Sequence, residues 1–123
     1  MIVVDTSSLQ RYLAGFLGRD TKAVADAIAR HEAHLPPVVV TEALSNQFLS
    51  EDGAERVQAL PMIDLLEGYW IRAGQMRAKL VRQQRKAKLG DALIAQVCLD
   101  YDAPLITYDD DFDNFVDLGL KLL

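Results

Sequence analysis

The sequence predicts an α/β protein, a parallel sheet with helices packed on both of its faces. Two patterns carry this prediction. Short apolar runs stand at Ile2–Val4, at residues 62–66 and at residues 105–107. Between them lie longer segments whose apolar residues repeat at helical spacing. A strand that is apolar throughout is buried on both faces, and helices must supply the cover. Size agrees. A chain of 123 residues falls within one domain and can bury roughly 65–70% of its unfolded surface. Residues 1–123 therefore read as a single domain. Half of the residues are apolar and 25% are charged, which excludes a mainly disordered chain.

The elements follow in order. Ile2–Val4 is apolar and β-branched, hence a strand. Leu9, Tyr12, Leu13 and Phe16 mark a helix closed by Gly18. Asp20 or Thr21 caps a second helix with Val24, Ala27, Ile28 and His31 on one face. After Pro36-Pro37 two readings compete. Residues 38–40 form a strand with Thr41 capping the next helix, or Pro37 opens a helix that runs to about Ser50. Residues 53–60 read as a short helix ended by Pro61, and 62–66 as a strand. Tyr69, Ala73, Met76 and Leu80 set a helix, with Arg72, Lys79, Arg82 and Lys86 on a neighbouring stripe. A helix from Asp91 carries Leu93, Ile94, Val97 and Cys98 inward. Asp102-Ala103-Pro104 turns into the strand 105–107. Residues 109–111 open a short helix, and 118–123 finish as an edge strand.

Several classes of function are excluded. One cysteine, Cys98, rules out a disulfide framework and a cysteine zinc site. Its apolar neighbours predict a buried, inert thiol in a reducing compartment. No apolar run approaches the roughly 20 residues that cross a bilayer, so no membrane association is expected. Met1-Ile2-Val3-Val4-Asp5 has no basic region before its apolar run, so the expectation is no signal peptide and a cytoplasmic location. His31 and His34 lack a third nitrogen or sulfur ligand for zinc. There is no glycine-rich phosphate loop, and Ser7 and Ser8 lack a histidine partner for a hydrolytic triad.

Charge is segregated along the chain. The net charge is −5. Between Gly68 and Gly90 stand seven bases and no acid; between Leu89 and Leu120 stand eight acids and no base. Local field rather than net charge attracts a polyanion. Arg72, Lys79, Arg82 and Lys86 are therefore candidates for contact with the phosphates of a polyanion or with an acidic partner, unless they form only a solvated face. A cluster of acids repels itself, and a bound divalent cation offsets that repulsion.

Four places along the chain carry acids placed for chemistry. Asp5 ends the first strand, where open α/β sheets bind their ligands; a helix N-cap is the other use of such a residue. Glu42 lies among small and apolar residues, where it is equally well read as a favourable acid in a helix's first turn. Asp91, after Gly90, reads by itself as an N-cap. Asp109, Asp110 and Asp111 follow a strand and cannot all be caps. Carboxylates without His or Cys suit hard cations such as Mg²⁺ or Mn²⁺. One or two such ions can activate a water and steady the leaving oxygen of a phosphodiester. Like charges brought together without metal should raise the acids' folded-state pKa values.

The runs Val-Val-Asp-Thr-Ser, Thr-Glu-Ala-Leu, Gly-Asp-Ala-Leu-Ile-Ala and Leu-Ile-Thr-Tyr-Asp-Asp-Asp-Phe occur in this order over essentially the whole chain. Together they resemble the PIN-domain ribonucleases, and most closely the VapC-type toxins of bacterial and archaeal toxin–antitoxin pairs. The resemblance implies a three-layer α/β/α sandwich with a five-stranded, mostly parallel sheet. It implies that Asp5, Glu42, Asp91 and Asp109 gather around Mg²⁺ or Mn²⁺ for endoribonuclease chemistry, with Glu42 on a helix. Asp111, two residues on, can take the fourth place. Thr107 matches a hydroxyl near the metal and Ser7 a supporting position. The same resemblance implies a homodimer, an RNA substrate and a cognate antitoxin that covers the site.

Two other folds of this size fail on the residues. A phosphoacceptor receiver needs paired acids after the first strand and an acceptor Asp near mid-chain, but Thr6 follows Asp5 and position 57 is Val57. A haloacid-dehalogenase-type phosphatase needs Asp-x-Asp, but position 7 is Ser7. The competing functional class is a PIN-like domain that binds or scaffolds without cutting.

Overall fold

A computed structural model describes residues 1–123. At its centre lies β1 (Ile2–Val4), flanked by β2 (Ala33–His34) and β3 (Leu105–Ile106) in the order β2-β1-β3. Both pairings are parallel. Ile2 faces Ala33 and Val3 faces His34 on one side; Val3 faces Leu105 and Val4 faces Ile106 on the other. Val3 and Val4 are fully buried, as a central strand covered on both faces requires. One parallel bridge extends the sheet at each edge, Leu35 to Met62 and Leu105 to Leu122.

The sheet thus has three strands with a bridged residue beyond each edge, not five full strands. The expected strand at 62–66 reduces to Met62, because Met62 is 58% exposed and Asp64 and Leu66 also face solvent. The expected edge strand at 118–123 reduces to Leu122. Gly119 has φ +109° there, so pairing begins only after it, with Leu105 N–H bonded to the Lys121 carbonyl and Leu123 N–H to the Leu105 carbonyl. Strand β2 was invisible to the pattern, since Ala-His carries no β-branched signal.

Six α-helices and a 3-10 helix surround the sheet. α1 is Thr6–Leu13 and α2 is Arg19–Ala29. Gly18 occupies the N-cap of α2, so Asp20 and Thr21 lie inside the helix and do not cap it. His31 lies beyond its end, exposed and at φ 58°, instead of on the helix face. Of the two readings after Pro36, the helix is correct. α3 is Pro37–Leu44, with proline in the first turn, where its missing N–H costs nothing. It stops six residues before Ser50. α4 is Glu51–Ala59, capped by the Ser50 hydroxyl, which accepts from Gly53 N–H.

α5 (Tyr69–Arg82) buries Tyr69, Ala73, Met76 and Leu80, the predicted stripe. Gly68 turns the chain into it at φ +81°, where a Cβ would lie 2.6 Å from the Arg72 guanidinium. The helix ends at Arg82, so Lys86 lies off it in the following loop. α6 (Leu89–Tyr101) starts two residues before Asp91, with Lys88 at the N-cap. Ala92 and residues 94–98 are all buried, which makes α6 the central helix of the fold. Burial pushes the Cys98 thiol up to about 12, so it stays protonated and inert. α5 and α6 are locked together by a two-pronged Arg72–Asp100 pair at 2.9 and 2.7 Å. The Tyr69 hydroxyl adds a hydrogen bond to the Leu93 carbonyl at 2.6 Å.

Parallel strands end at one edge of the sheet, and a helix that leads into such a strand starts at that edge. The carboxyl ends of β1 and β3 and the start of α6 therefore meet. The 3-10 helix Asp110–Leu118 is pinned beside them by Phe112 and Phe115, both essentially fully buried. No helix is long and apolar enough to cross a membrane. Replacing Phe115 with Ala should cost about 3–5 kcal/mol of stability, read by urea unfolding. A loss below about 1 kcal/mol would mean that this anchor is not needed.

Candidate active site

β1 delivers Asp5 to the crevice in a fixed pose. Its Oδ1 accepts from Ser8 N–H at 3.0 Å, so Asp5 is the N-cap of α1. The Ser7 hydroxyl lies 2.9 Å from both of its oxygens. The Thr107 hydroxyl, just past β3, donates to Oδ2 at 2.6 Å. Thr107 Oγ1 in turn accepts from Asp109 N–H at 2.9 Å, and Asp109 Oδ1 accepts from Asp111 N–H at 2.9 Å. One chain of hydrogen bonds thus runs from the 3-10 helix to the central strand.

α6 brings Asp91 to the same place. Asp91, Asp109 and Asp111 each offer a carboxylate oxygen, and the three atoms lie within 4.8 Å of one another. Asp91 sits third in α6, in the first turn, where the helix N-terminus favours negative charge. Its Oδ2 is buried without a hydrogen-bond partner. Glu42 lies sixth in α3, not in the first turn. Its carboxylate accepts the Thr6 hydroxyl at 2.6 Å and rests against Gly90, where a Cβ would come 3.5 Å from Oε2. Glu42 therefore stands beside the start of α6, outside the close trio.

The PIN-domain family model matches residues 2–118. The chain belongs to the PIN-domain family. Solved structures agree on the fold along the full chain. FitAcB from Neisseria gonorrhoeae superposes with a TM-score of 0.75 at 15% identity, covering 100% of this chain and 96% of that one. VapBC2 from Rickettsia felis, bound to a DNA fragment from its promoter, gives 0.72 at 18% identity, covering 100% and 98%. The sarcin–ricin-loop-cleaving toxin VapC20 of Mycobacterium tuberculosis gives 0.67 at 19% identity, again covering 100% and 98%. No curated protein sequence matches the chain.

Within this PIN domain the acids differ in the direction of their pKa shifts. Burial raises the Asp5 pKa; the hydrogen bonds from Ser8, Thr107 and Ser7 oppose it, and Asp109 adds to it. Burial first, then the charges of Asp109 and Asp111, push Asp91 from 3.8 up to about 6. Both shifts have the direction expected of gathered acids. Asp111 goes the other way, because the Lys86 ammonium at 2.9 Å holds it below the ordinary value. Lys88 adds a longer contact at 3.7 Å.

The four candidate bases of the PIN domain separate into two kinds. Arg72 is committed to Asp100 and Lys86 to Asp111. Lys79 and Arg82 face solvent and line a shallow groove with Trp70 and Gly74. Sequence reasoning missed Thr6 as the support of Glu42 and Lys88 as a second cation on Asp111. Neither has a local signal, because each partner lies more than twenty residues away in the chain.

The Asp91 shift fixes a pH signature. A raised acid pKa means that the fold binds more protons than the unfolded chain, so this group's contribution falls as pH rises from about 4 to about 6. Asp91→Asn should match wild type near pH 4 and become more stable by about 1 kcal/mol above pH 6, allowing for partial solvent screening. Mg²⁺ or Mn²⁺ should raise the wild-type melting temperature and move that of the variant much less. Equal metal shifts in both would remove Asp91 from the metal set.

Proposed function

We propose that the chain is a Mg²⁺- or Mn²⁺-dependent endoribonuclease of the VapC type, the toxin of a toxin–antitoxin pair. The observation that carries this reading is the close trio Asp91, Asp109 and Asp111 with the unpartnered, buried Asp91 Oδ2. A buried carboxylate oxygen without a donor is costly, and a cation removes that cost. Three carboxylates with no His or Cys fit a hard, oxygen-liking ion. Asp91, Asp109 and Asp111 would hold it, with Asp5 behind them and Glu42 at the flank. When bound, the ion supplies positive charge to the phosphodiester and makes a nearby water more acidic.

The chain's own residues do the rest. Thr107 and Ser7 hold the Asp5 carboxylate in one orientation. Thr107 also holds the Asp109 backbone, which fixes the height of that acid in the crevice. Lys86 and Lys88 bring positive charge to the rim, where an RNA phosphate would meet it. Lys79 and Arg82 extend that field along α5. The likeness to VapC20 supports RNA as the polymer cut, and the likeness to VapBC2 supports an antitoxin as partner. A homodimer and a cytoplasmic location complete the proposal.

A second reading, a binding domain without catalysis, draws on one contact. Lys86 already neutralises part of the acid cluster from within the chain. One experiment separates the two. The purified protein with single-stranded RNA should cleave in Mg²⁺ or Mn²⁺ and stop in EDTA. Asp91→Asn should lose at least about a hundredfold in turnover, as several kcal/mol of charge stabilisation implies. Cleavage that persists unchanged in EDTA would overturn the metal mechanism. No cleavage in any metal, with no metal shift in melting, would establish the second reading.

The basic groups give a separate outcome. Lys79→Ala and Arg82→Ala should each flatten the salt dependence of RNA binding by about 0.7 in logarithmic slope. Arg72→Ala should leave the slope unchanged and lower the melting temperature, because its guanidinium holds α5 to α6. A slope change for Arg72 alone would reverse this assignment.

A further inference from the structure

We propose that Tyr108 is a stacking platform for one base of the RNA strand, seated beside the acidic cluster; this rests on the nuclease reading above. Tyr108 lies between Thr107 and Asp109, the two residues that tie the 3-10 helix to Asp5. Its N–H points to Ser7 Oγ at 3.3 Å, so its backbone belongs to the same network. Tyr108 as a residue is nevertheless 61% exposed. One face is covered, with the Arg11 guanidinium carbon 3.8 Å from the ring centroid. The exposed remainder of the side chain is free for a second stacked group.

Arg11 is not a loose surface cation. Asp20 holds it through two contacts at 3.0 and 3.4 Å, and the Ser8 hydroxyl holds Asp20 at 2.9 Å. The ring therefore rests on a fixed support, and a stacked ligand need not order it first. Such pre-ordering removes part of the cost of binding. A flat aromatic face beside a nucleic-acid site is what an unpaired base stacks on, and every base has such a face. The guanidinium beneath polarises the ring, and an Arg–Tyr–base stack gains from it.

A cavity of about 500 Å³ opens beside the ring, lined by Arg11, Arg19, Ile106 and Thr107 among others. It has room for a nucleotide, and Arg19 stands in its wall as a cation for the adjoining phosphate. Its two acids are Asp20, paired to Arg11, and the exposed Asp110.

The test pairs a side chain with a base. A set of single-stranded RNAs, each with one abasic nucleotide near the cleavage site, is bound to the full chain with Ca²⁺ in place of Mg²⁺. Wild type should bind one member of the set about tenfold more weakly than the intact strand, the range of one stacked base. Tyr108→Ala should bind the intact strand about tenfold more weakly and show little further loss with that member. Tyr108→Phe and Tyr108→Trp should keep wild-type behaviour. For Tyr108→Ala, KM should rise while kcat at saturating RNA changes less than about twofold. A 2-aminopurine at the sensitive position should be quenched on binding to wild type, a readout that needs no variant. The same abasic profile in wild type and Tyr108→Ala, or no quenching at any position, would overturn the platform while leaving the nuclease intact. A wild type that neither binds nor cleaves RNA would overturn the nuclease reading, and the platform with it.

Discussion

A single buried carboxylate joins the parts of this molecule. Asp5 is 2% exposed, and a charge so placed survives only if donors surround it. Ser8 N–H, the Ser7 hydroxyl and the Thr107 hydroxyl do so. The donors come from two elements: Ser7 and Ser8 from the first turn of α1, and Thr107 from the residue after β3. Asp5 thus caps a helix, ties two strands and presents negative charge to the crevice. The cap and the site acid were alternatives in the sequence; in the fold the residue that caps α1 also stands at the candidate site. The hydroxyl of Thr107 has its proton direction set, since its oxygen accepts from Asp109 N–H while its proton goes to Asp5. The position of Asp109 is therefore a consequence of Asp5, although 104 residues separate them in the numbering.

The segregated charges in the sequence have an answer inside the chain. The basic segment does not stand as one cationic face. Arg72 closes on Asp100, Arg85 on Asp117 and on the Asn114 carbonyl, and Lys86 and Lys88 on Asp111. Arg77 donates to the Ala87 carbonyl and shapes the loop that carries Lys86. The helix and the acidic segment that follows it are complementary surfaces of one fold. What remains outward is a narrower field, chiefly Lys79 and Arg82, and a cationic rim at the acids themselves. An exposed ion pair contributes little to stability. At Asp111 its effect is local, in that it lowers the repulsion a metal-free trio would otherwise suffer.

Much of this was legible from residue order. The helical stripe Tyr69, Ala73, Met76 and Leu80 is the buried face of α5, and the apolar run Ile2–Val4 is the central strand. Both depend on local periodicity, which tertiary packing here reinforces. The sheet edges were not legible. Residues 62–66 and 118–123 are apolar enough for strands, yet each pairs at one residue, and at the second edge a left-handed Gly119 precedes the pairing. β2 escaped for the opposite reason: Ala33 and His34 are strand only because β1 lies beside them. Helix starts shifted for want of a side-chain cap, as Lys88 and Gly18 occupy those places without one. At the site, the four motifs named the acids but not their grouping. Asp109 and Asp111 were rivals for one place, and both stand in the trio with Asp91. Glu42 and Asp5 are held just outside it by Thr6 and Thr107, a distinction that depends on side-chain reach.

The trio also shows why a fold would keep an arrangement that weakens it. Apart from its place in the first turn of α6, Asp91 has little structural support. It is not the cap of α6, one of its oxygens has no donor, and burial followed by the charges of Asp109, Asp111 and Asp5 raises its pKa. An apolar side chain there would remove both the unpartnered oxygen and the buried charge. Residues that break a local rule without local compensation are where function is to be sought. The neighbouring acids do not share this strain equally. Asp5 is satisfied by hydroxyls, Glu42 by Thr6 and Asp111 by Lys86. The unmet demand for positive charge is therefore concentrated on Asp91, at the mouth formed by the strand ends and the helix start. A cation arriving there meets the acid with most to gain, while the others are already oriented by bonds that its arrival need not break.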